Sequence, residues 1–349
     1  MSLLQETLAQ IEKPDMQAYE MVKKALTQAI YPAEVLGRLP DMAATYAAAT
    51  GIAKPQELKA CMVIACADHG VARRSVSAYP IETTAQMTIN YVASKGASAN
   101  AFANFCGADM VVVDAGVAVD LPSFPGLWER KIAYGTEDFT QGPAMTQEQA
   151  IKALEIGISI VKEKVQEGYR CFTLGEMGIG NTTSSAAIVA AISGEDPLQT
   201  TGRGTGISDQ RLNDKRRYVR QALQVNQPQG TDGLDVLSKV GGLELGVLAG
   251  VVLGAAAHKC LVIVDGLNTT AAALVAQGIH ADSAGYLLAS HLSGEPAHRI
   301  ALRQLELEAC VDLGIRLGEA IGASLVVDML QMVLAMLPGV HASVEEGVA

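Results

Sequence analysis

The sequence predicts an α/β fold: a parallel sheet with helices on both faces, joined by a small helical domain built from the two chain ends. Three observations carry that reading. Four short β-like runs, CMVIACADHG from Cys61, MVVVDAG from Met110, CFTLGEMG from Cys171 and LVIVDGLN from Leu261, each close in small or polar residues. Helical patterns at 84–106, 146–167, 181–192, 207–224 and 243–258 lie between them, and strand alternating with helix builds a parallel sheet. Residues 3–50 and about 296–336 read as helical, which sets a small domain of 1–50 and 296–349 against a large α/β domain of 51–295.

Along the chain, each β-like run delivers a polar residue at its carboxyl end: Asp68, Asp114, Glu176 and Asp265 in turn. A fifth strand is expected at Gly285–Ser290, followed by His291 and Ser293. Ligands of open parallel sheets bind beyond the carboxyl ends of the strands, where loops and helix N-termini converge, so one cleft would collect these residues. Glu319 would enter the same cleft from the terminal helical layer. With neither Pro-rich linkers nor low-complexity repeats, one compact unit is expected.

Composition narrows the function classes. A chain of 349 residues, 49% hydrophobic but only 4% aromatic and rich in Gly and Ala, suits closely packed helices better than aromatic-lined grooves. The net charge of −11 opposes non-specific binding to nucleic acid or anionic membrane, so any phosphate must be captured locally. No run of 18 uncharged apolar residues is present, and Leu245–Ala257, flanked by Glu244, His258 and Lys259, reads as a buried helix. The N-terminus lacks signal-peptide character, which points to the cytoplasm. The six cysteines form no C-x-x-C and the six histidines neither H-x-H nor H-x-x-x-H, so neither a metal site nor a cofactor is expected.

Two glycine-framed carboxylates carry the chemistry. In GEMGIGNTTS, Gly175–Ser184, a strand leaves the sheet through a tight turn into a helix opening near Asn181 and Thr182; its free N–H groups suit a phosphate or ribose, or Asn181 merely caps the helix. In RLGEAIGAS, Arg316–Ser324, Glu319 is either a base or a carboxylate in the first turn of the following helix. Burial would raise its pKa and the helix dipole would lower it. GRGTG, Gly202–Gly206, lacks the strand of a dinucleotide fingerprint but fits a backbone nest for one phosphate, with Lys215 following; it also fits a surface loop ahead of a solvated basic helix. Ser293 and Gly294 offer a further phosphate contact, whereas His291 and His69 fit structural roles at least as well.

Taken together, ADHGV, VSAYP, GEMGIGNTT, GRGTG, DVLSKVGG, VDGLNTTAAAL, SHLSGEP and RLGE-x-x-G-A, in order over nearly the whole chain, resemble the nicotinate-nucleotide:dimethylbenzimidazole phosphoribosyltransferase family. The resemblance implies a Rossmann-like sheet, a homodimer, and phosphoribosyl transfer from nicotinate mononucleotide to 5,6-dimethylbenzimidazole in cobalamin nucleotide-loop assembly. It assigns Glu319 as general base and Glu176 as the second catalytic carboxylate. Gly178, Asn181, Gly202, Gly204, Lys215, Asp265, Ser293, Gly294 and Arg316 fall at nucleotide and phosphate positions. Tyr79, Pro80, Gln86, Met87, Met177 and Leu317 fall around the acceptor base. Tyr79 stands where some relatives have Ser, and Met87 where some have Gln, which makes the pocket drier. Branches of the family use phenolic or purine acceptors, some as pairs of related subunits, and these are the alternative acceptor and assembly.

Overall fold

The computed structural model describes residues 1–28, 33–54 and 58–339. Six parallel strands form one sheet: β1 (Ala60–Ala67), β2 (Asp109–Gly116), β3 (Leu127–Glu129), β4 (Cys171–Met177), β5 (Leu261–Val264) and β6 (Leu287–Ala289), in the order β3-β2-β1-β4-β5-β6. Every residue of β1 and β5 is buried, the pattern of strands covered on both faces. The order reverses between β1 and β4, and there the register sets Ala65 opposite Glu176. A crevice at such a reversal is the usual ligand site of this architecture.

One face of the sheet carries α14 (Ile321–Leu334), flanked by α3 (Leu39–Thr50) and α5 (Ser98–Cys106). The other carries α11 (Leu243–Ala257), packed on α6 (Gln147–Gln166) and α12 (Leu267–Ile279). The α11–α6 seam is unusually close because glycines face backbone across it: a Cβ at Gly157 would overlap the Val247 carbonyl, and one at Gly250 the Leu154 carbonyl. Here the high Gly and Ala content does its packing. Of the chain ends, α1 (Leu3–Leu8) lies on α6 and α11, α2 (Met16–Gln28) on α3, and α3 on α14, β5 and β6. The expected helical domain also includes residues 29–32 and 340–349, which fall outside the described residues.

Three local readings are corrected. The sixth strand, β3, is only three residues long and leaves no run in the sequence. The expected helix 84–106 is broken into α4 (Thr83–Ile89), a single π-helical turn Asn90–Ser94, and α5, because Lys95 turns left-handed and Asn100 pulls back to the Tyr91 carbonyl and Ala97 N–H. Residues 296–336 are not one helical stretch. α13 (Pro296–Gln304) ends at Leu305, and the chain then runs without regular structure to Ala320, bonding back to the sheet through Cys310 N–H to the Ser290 carbonyl (2.8 Å) and Leu292 N–H to the Val311 carbonyl (2.9 Å).

Ile321–Gly339 has the length and mean hydropathy, 1.8, of a membrane span. It carries Asp328 and packs on α3, α5, β4 and β5, as the core helix of a folded domain does.

Candidate active site

The two glycine-framed loops dock on each other. Gly175, at the end of β4, has no side chain, and the backbone of Glu319 and Ala320 fills the space: a Cβ there would lie 3.1 Å from the Glu319 carbonyl carbon and the Ala320 nitrogen. In return Gly318 rests on Glu176, and a Cβ at 318 would overlap its Oε1. Both carboxylates are buried, Glu176 at 7% and Glu319 at 8% exposure. Glu319 and Ala320 are both left-handed, with φ of 66° and 62°, at roughly 1–2 kcal/mol each for residues bearing a Cβ. This twist ends before α14 begins, so Glu319 is not a first-turn carboxylate of that helix.

Burial decides the electrostatics. It raises the Glu176 carboxyl to about 8; the Asn268 amide opposes, and the Glu244, Asp265 and Glu319 carboxylates add to the rise. The Asn181 amide donates to Glu176 Oε2. Burial likewise raises Glu319, opposed by the Tyr91 hydroxyl and the Ala99 N–H. Neither Tyr91 Oη nor Glu319 Oε2 completes a well-formed hydrogen bond among the described residues, so both retain capacity for a ligand. Beneath this pair, His69 Nε2 meets Glu244 Oε1 at 2.6 Å with both side chains fully buried. Gly178 is bare for packing reasons, since a Cβ there would overlap the Ala67 carbonyl.

A second cluster gathers at the N-terminus of α7 (Asn181–Ser193). Lys215, on α9 (Asp209–Asn226), is fully buried and donates to Thr182 Oγ1 at 2.8 Å. Burial lowers its pKa to about 8 against the raising field of Glu295. The Gly202–Gly206 loop precedes α9 rather than following a strand, and its Gly204 N–H donates to Glu295 Oε1 at 2.8 Å. An internal carboxylate thus sits in the amide nest beside Lys215. Ser293 N–H donates to His298 Nδ1 at 3.0 Å, and Gly294 lies bare against the Arg316 guanidinium.

The residues expected around the acceptor base lie toward the surface. Tyr79 is 59% and Leu317 48% exposed; Pro80 and Gln86 are exposed and Met87 and Met177 half-buried. The Ser77–Tyr79 loop is fastened to the Gly202–Gly206 loop, because Ala78 N–H donates to Thr205 Oγ1 at 2.7 Å. α4 is fastened to the β4 turn, because Ile179 N–H donates to Thr84 Oγ1 at 3.1 Å. Lys215 thus joins Thr182 and Gly204, the Ser77–Tyr79 loop joins Thr205, and Glu176 meets the 318–320 backbone.

A family model described as phosphoribosyltransferase matches residues 11–348. The chain belongs to that family. It is similar to the nicotinate-nucleotide-dimethylbenzimidazole phosphoribosyltransferase of Chloroflexus aggregans, 44% identical over 349 residues covering 100% of this chain and 99% of the relative. The enzyme of the same name from Geobacter sulfurreducens is 42% identical with the same coverage. Among solved structures, CobT from Thermus thermophilus superposes with a TM-score of 0.88 at 39% identity, covering 92% of this chain and 96% of that one.

Within this phosphoribosyltransferase, three expected polar residues serve the fold locally. Asp68 Oδ2 accepts the Ala118 N–H at 2.7 Å; Asp114 accepts the Val117 N–H at 2.9 Å and pairs with Lys131 at 2.9 Å. Asp265, expected at the nucleotide, is 1% exposed and turned into α14. Tyr91, Asn268, Glu244 and Glu295 escaped the sequence reading. A lone carboxylate in the apolar run LELGVLAG was the available signal for Glu244; Tyr91 had none, since its role follows from the π-helical turn.

Proposed function

We propose that this phosphoribosyltransferase moves the phosphoribosyl group of nicotinate mononucleotide to 5,6-dimethylbenzimidazole, inverting C1′ and releasing nicotinate, in cobalamin nucleotide-loop assembly. The observation that carries this reading is the meeting of Glu176 and Glu319 at the strand-order reversal, both buried and both raised in pKa. In the nucleotide the glycosidic nitrogen is a pyridinium, so the ring leaves neutral and needs no proton donor. What the protein supplies is position, with the acceptor nitrogen held about 3 Å from C1′.

Attack by one benzimidazole nitrogen acidifies the other N–H, and Glu319, made more basic by burial, takes that proton. Glu176 holds a proton in the free protein near neutral pH and orients ribose hydroxyls; the positive pyridinium of the bound nucleotide favours its ionised form, which then faces the oxocarbenium-like sugar. Lys215, Gly202, Gly204, Ser293, Gly294 and Arg316 hold the 5′-phosphate, which displaces the Glu295 carboxylate from Gly204. Gly178 and Asn181 seat the nucleotide against Glu176, and Tyr79, Pro80, Gln86, Met87, Met177 and Leu317 hold the base. The working unit is a cytoplasmic homodimer.

Nicotinate release with dimethylbenzimidazole, followed by product identification, tests the reaction. For Glu319→Gln we expect turnover about 10²–10⁴-fold lower, with nucleotide affinity kept. Unchanged turnover would remove Glu319 from the chemistry.

A further inference from the structure

Glu319 is held in a costly conformation, and α14 begins directly after it with no cap of its own. The N-cap residue is Ala320, and no side chain of the helix's own start bonds its first N–H groups. An uncapped buried helix start leaves orphan donors that another part of the chain must satisfy. Asp265, at the end of β5, does so from 58 residues away: its Oδ1 accepts the Ala323 N–H at 3.0 Å, and the Ala320 and Gly322 N–H groups also point at its carboxylate.

Asp265 is itself fixed on both sides. Its N–H donates to Thr269 Oγ1 at 2.8 Å, and its carbonyl accepts from Ser290 Oγ at 3.2 Å. Ser290 Oγ also lies 3.1 Å from His291 Nδ1, which stands 3.6 Å from Asp265 Oδ1. The carboxylate is 1% exposed and its Oδ1 is taken up by the start of α14. Left-handed residues other than glycine persist only where their surroundings over-determine them.

We propose that Asp265 is a positioning residue for phosphoribosyl transfer: by capping α14 from β5, it pins the Glu319–Ala320 twist and aims the Glu319 carboxylate at the acceptor. This rests on Glu319 being the base. A misplacement of the order of 1 Å in such a group costs roughly 10²-fold in rate.

The test is a double-mutant cycle. Asp265→Asn and Thr269→Val are each made in the wild-type and the Glu319→Gln backgrounds, and single-turnover nicotinate release and the KM for nicotinate mononucleotide are measured. The expected result for Asp265→Asn is a fall of about ten- to a hundredfold in rate, with KM within about threefold. Added to Glu319→Gln it should cost less than about threefold more, because a group acting through Glu319 has nothing left to position. Thr269→Val, which loosens Asp265 but keeps its carboxylate, follows the same rule at smaller size, with Thr269→Ser restoring the rate; it decides the matter if Asp265→Asn does not fold. Equal fractional losses in both backgrounds would reduce Asp265 to a structural role and overturn the proposal alone. Full activity of Glu319→Gln by itself would instead remove the base assignment on which it rests.

Discussion

At the scale of single residues, the site is organised by burial of charge. Glu176 moves from an ordinary glutamate value near 4.5 to about 8, so the folded protein binds its proton more tightly than the unfolded chain. The stability this contributes is complete below about 4.5 and is lost as pH rises through about 8. Asp265, raised from 3.8 to about 7, acts with the same sign. Buried His298, lowered to about 3, opposes this up to pH 6.5, so stability in thermal melting should fall across about pH 6.5–8, by at most about 1.4 kcal/mol per pH unit for each group. Glu176→Gln should flatten that slope without abolishing it, since Asp265 remains; a slope identical to wild type would show that Glu176 is not protonated in the fold. The two carboxylates were legible in the sequence because glycines framed them. Their protonation was not, because the burial that sets it comes from segments more than a hundred residues apart.

At the scale of elements, the same glycine serves two purposes that a sequence cannot separate. The runs at Cys61, Met110, Cys171 and Leu261 announced strands because strands covered on both faces are continuously apolar. The break at Lys95 and the irregular path of 305–320 stayed hidden, since the first depends on Asn100 reaching back to Tyr91 and the second on hydrogen bonds to the end of β6. Gly157 and Gly318 show the same limit. A methyl at 157 meets the Val247 carbonyl and Val251 nitrogen, rigid backbone in the α6–α11 seam, whereas one at 318 meets the movable end of Glu176. Gly157→Ala should cost about 1–3 kcal/mol or more of stability and leave the chemistry of the folded fraction intact. Gly318→Ala should melt close to wild type while losing turnover, as Glu176 is pushed aside. Melting curves alongside nicotinate release separate the two, and equal destabilisation by both would show that the 318 loop is structural.

At the scale of the whole molecule, the sheet, the strand-order reversal and the pairing of distant carboxylates form one arrangement: the C-terminal segment must cross the carboxyl end of β4 for a site to exist. The outer surface of that segment is where the second subunit proposed above would dock. Phe105 on α5 and Met332 on α14 are 85% and 68% exposed, and Gln331 Nε2 bonds the Cys106 carbonyl at 3.1 Å, which sets the two apolar side chains on neighbouring helices. Large apolar groups left open side by side mark association surfaces. A partner covering them would press on the outer face of α14, whose other face backs the sheet and whose start positions Glu319. On the homodimer proposed above, Phe105→Asp with Met332→Asp should shift the protein from dimer to monomer in sedimentation velocity, with the fold kept, and should lower turnover as α14 loses its backing. A dimer of unchanged affinity would place the interface elsewhere, while a fully active monomer would show that each chain holds Glu319 in place unaided.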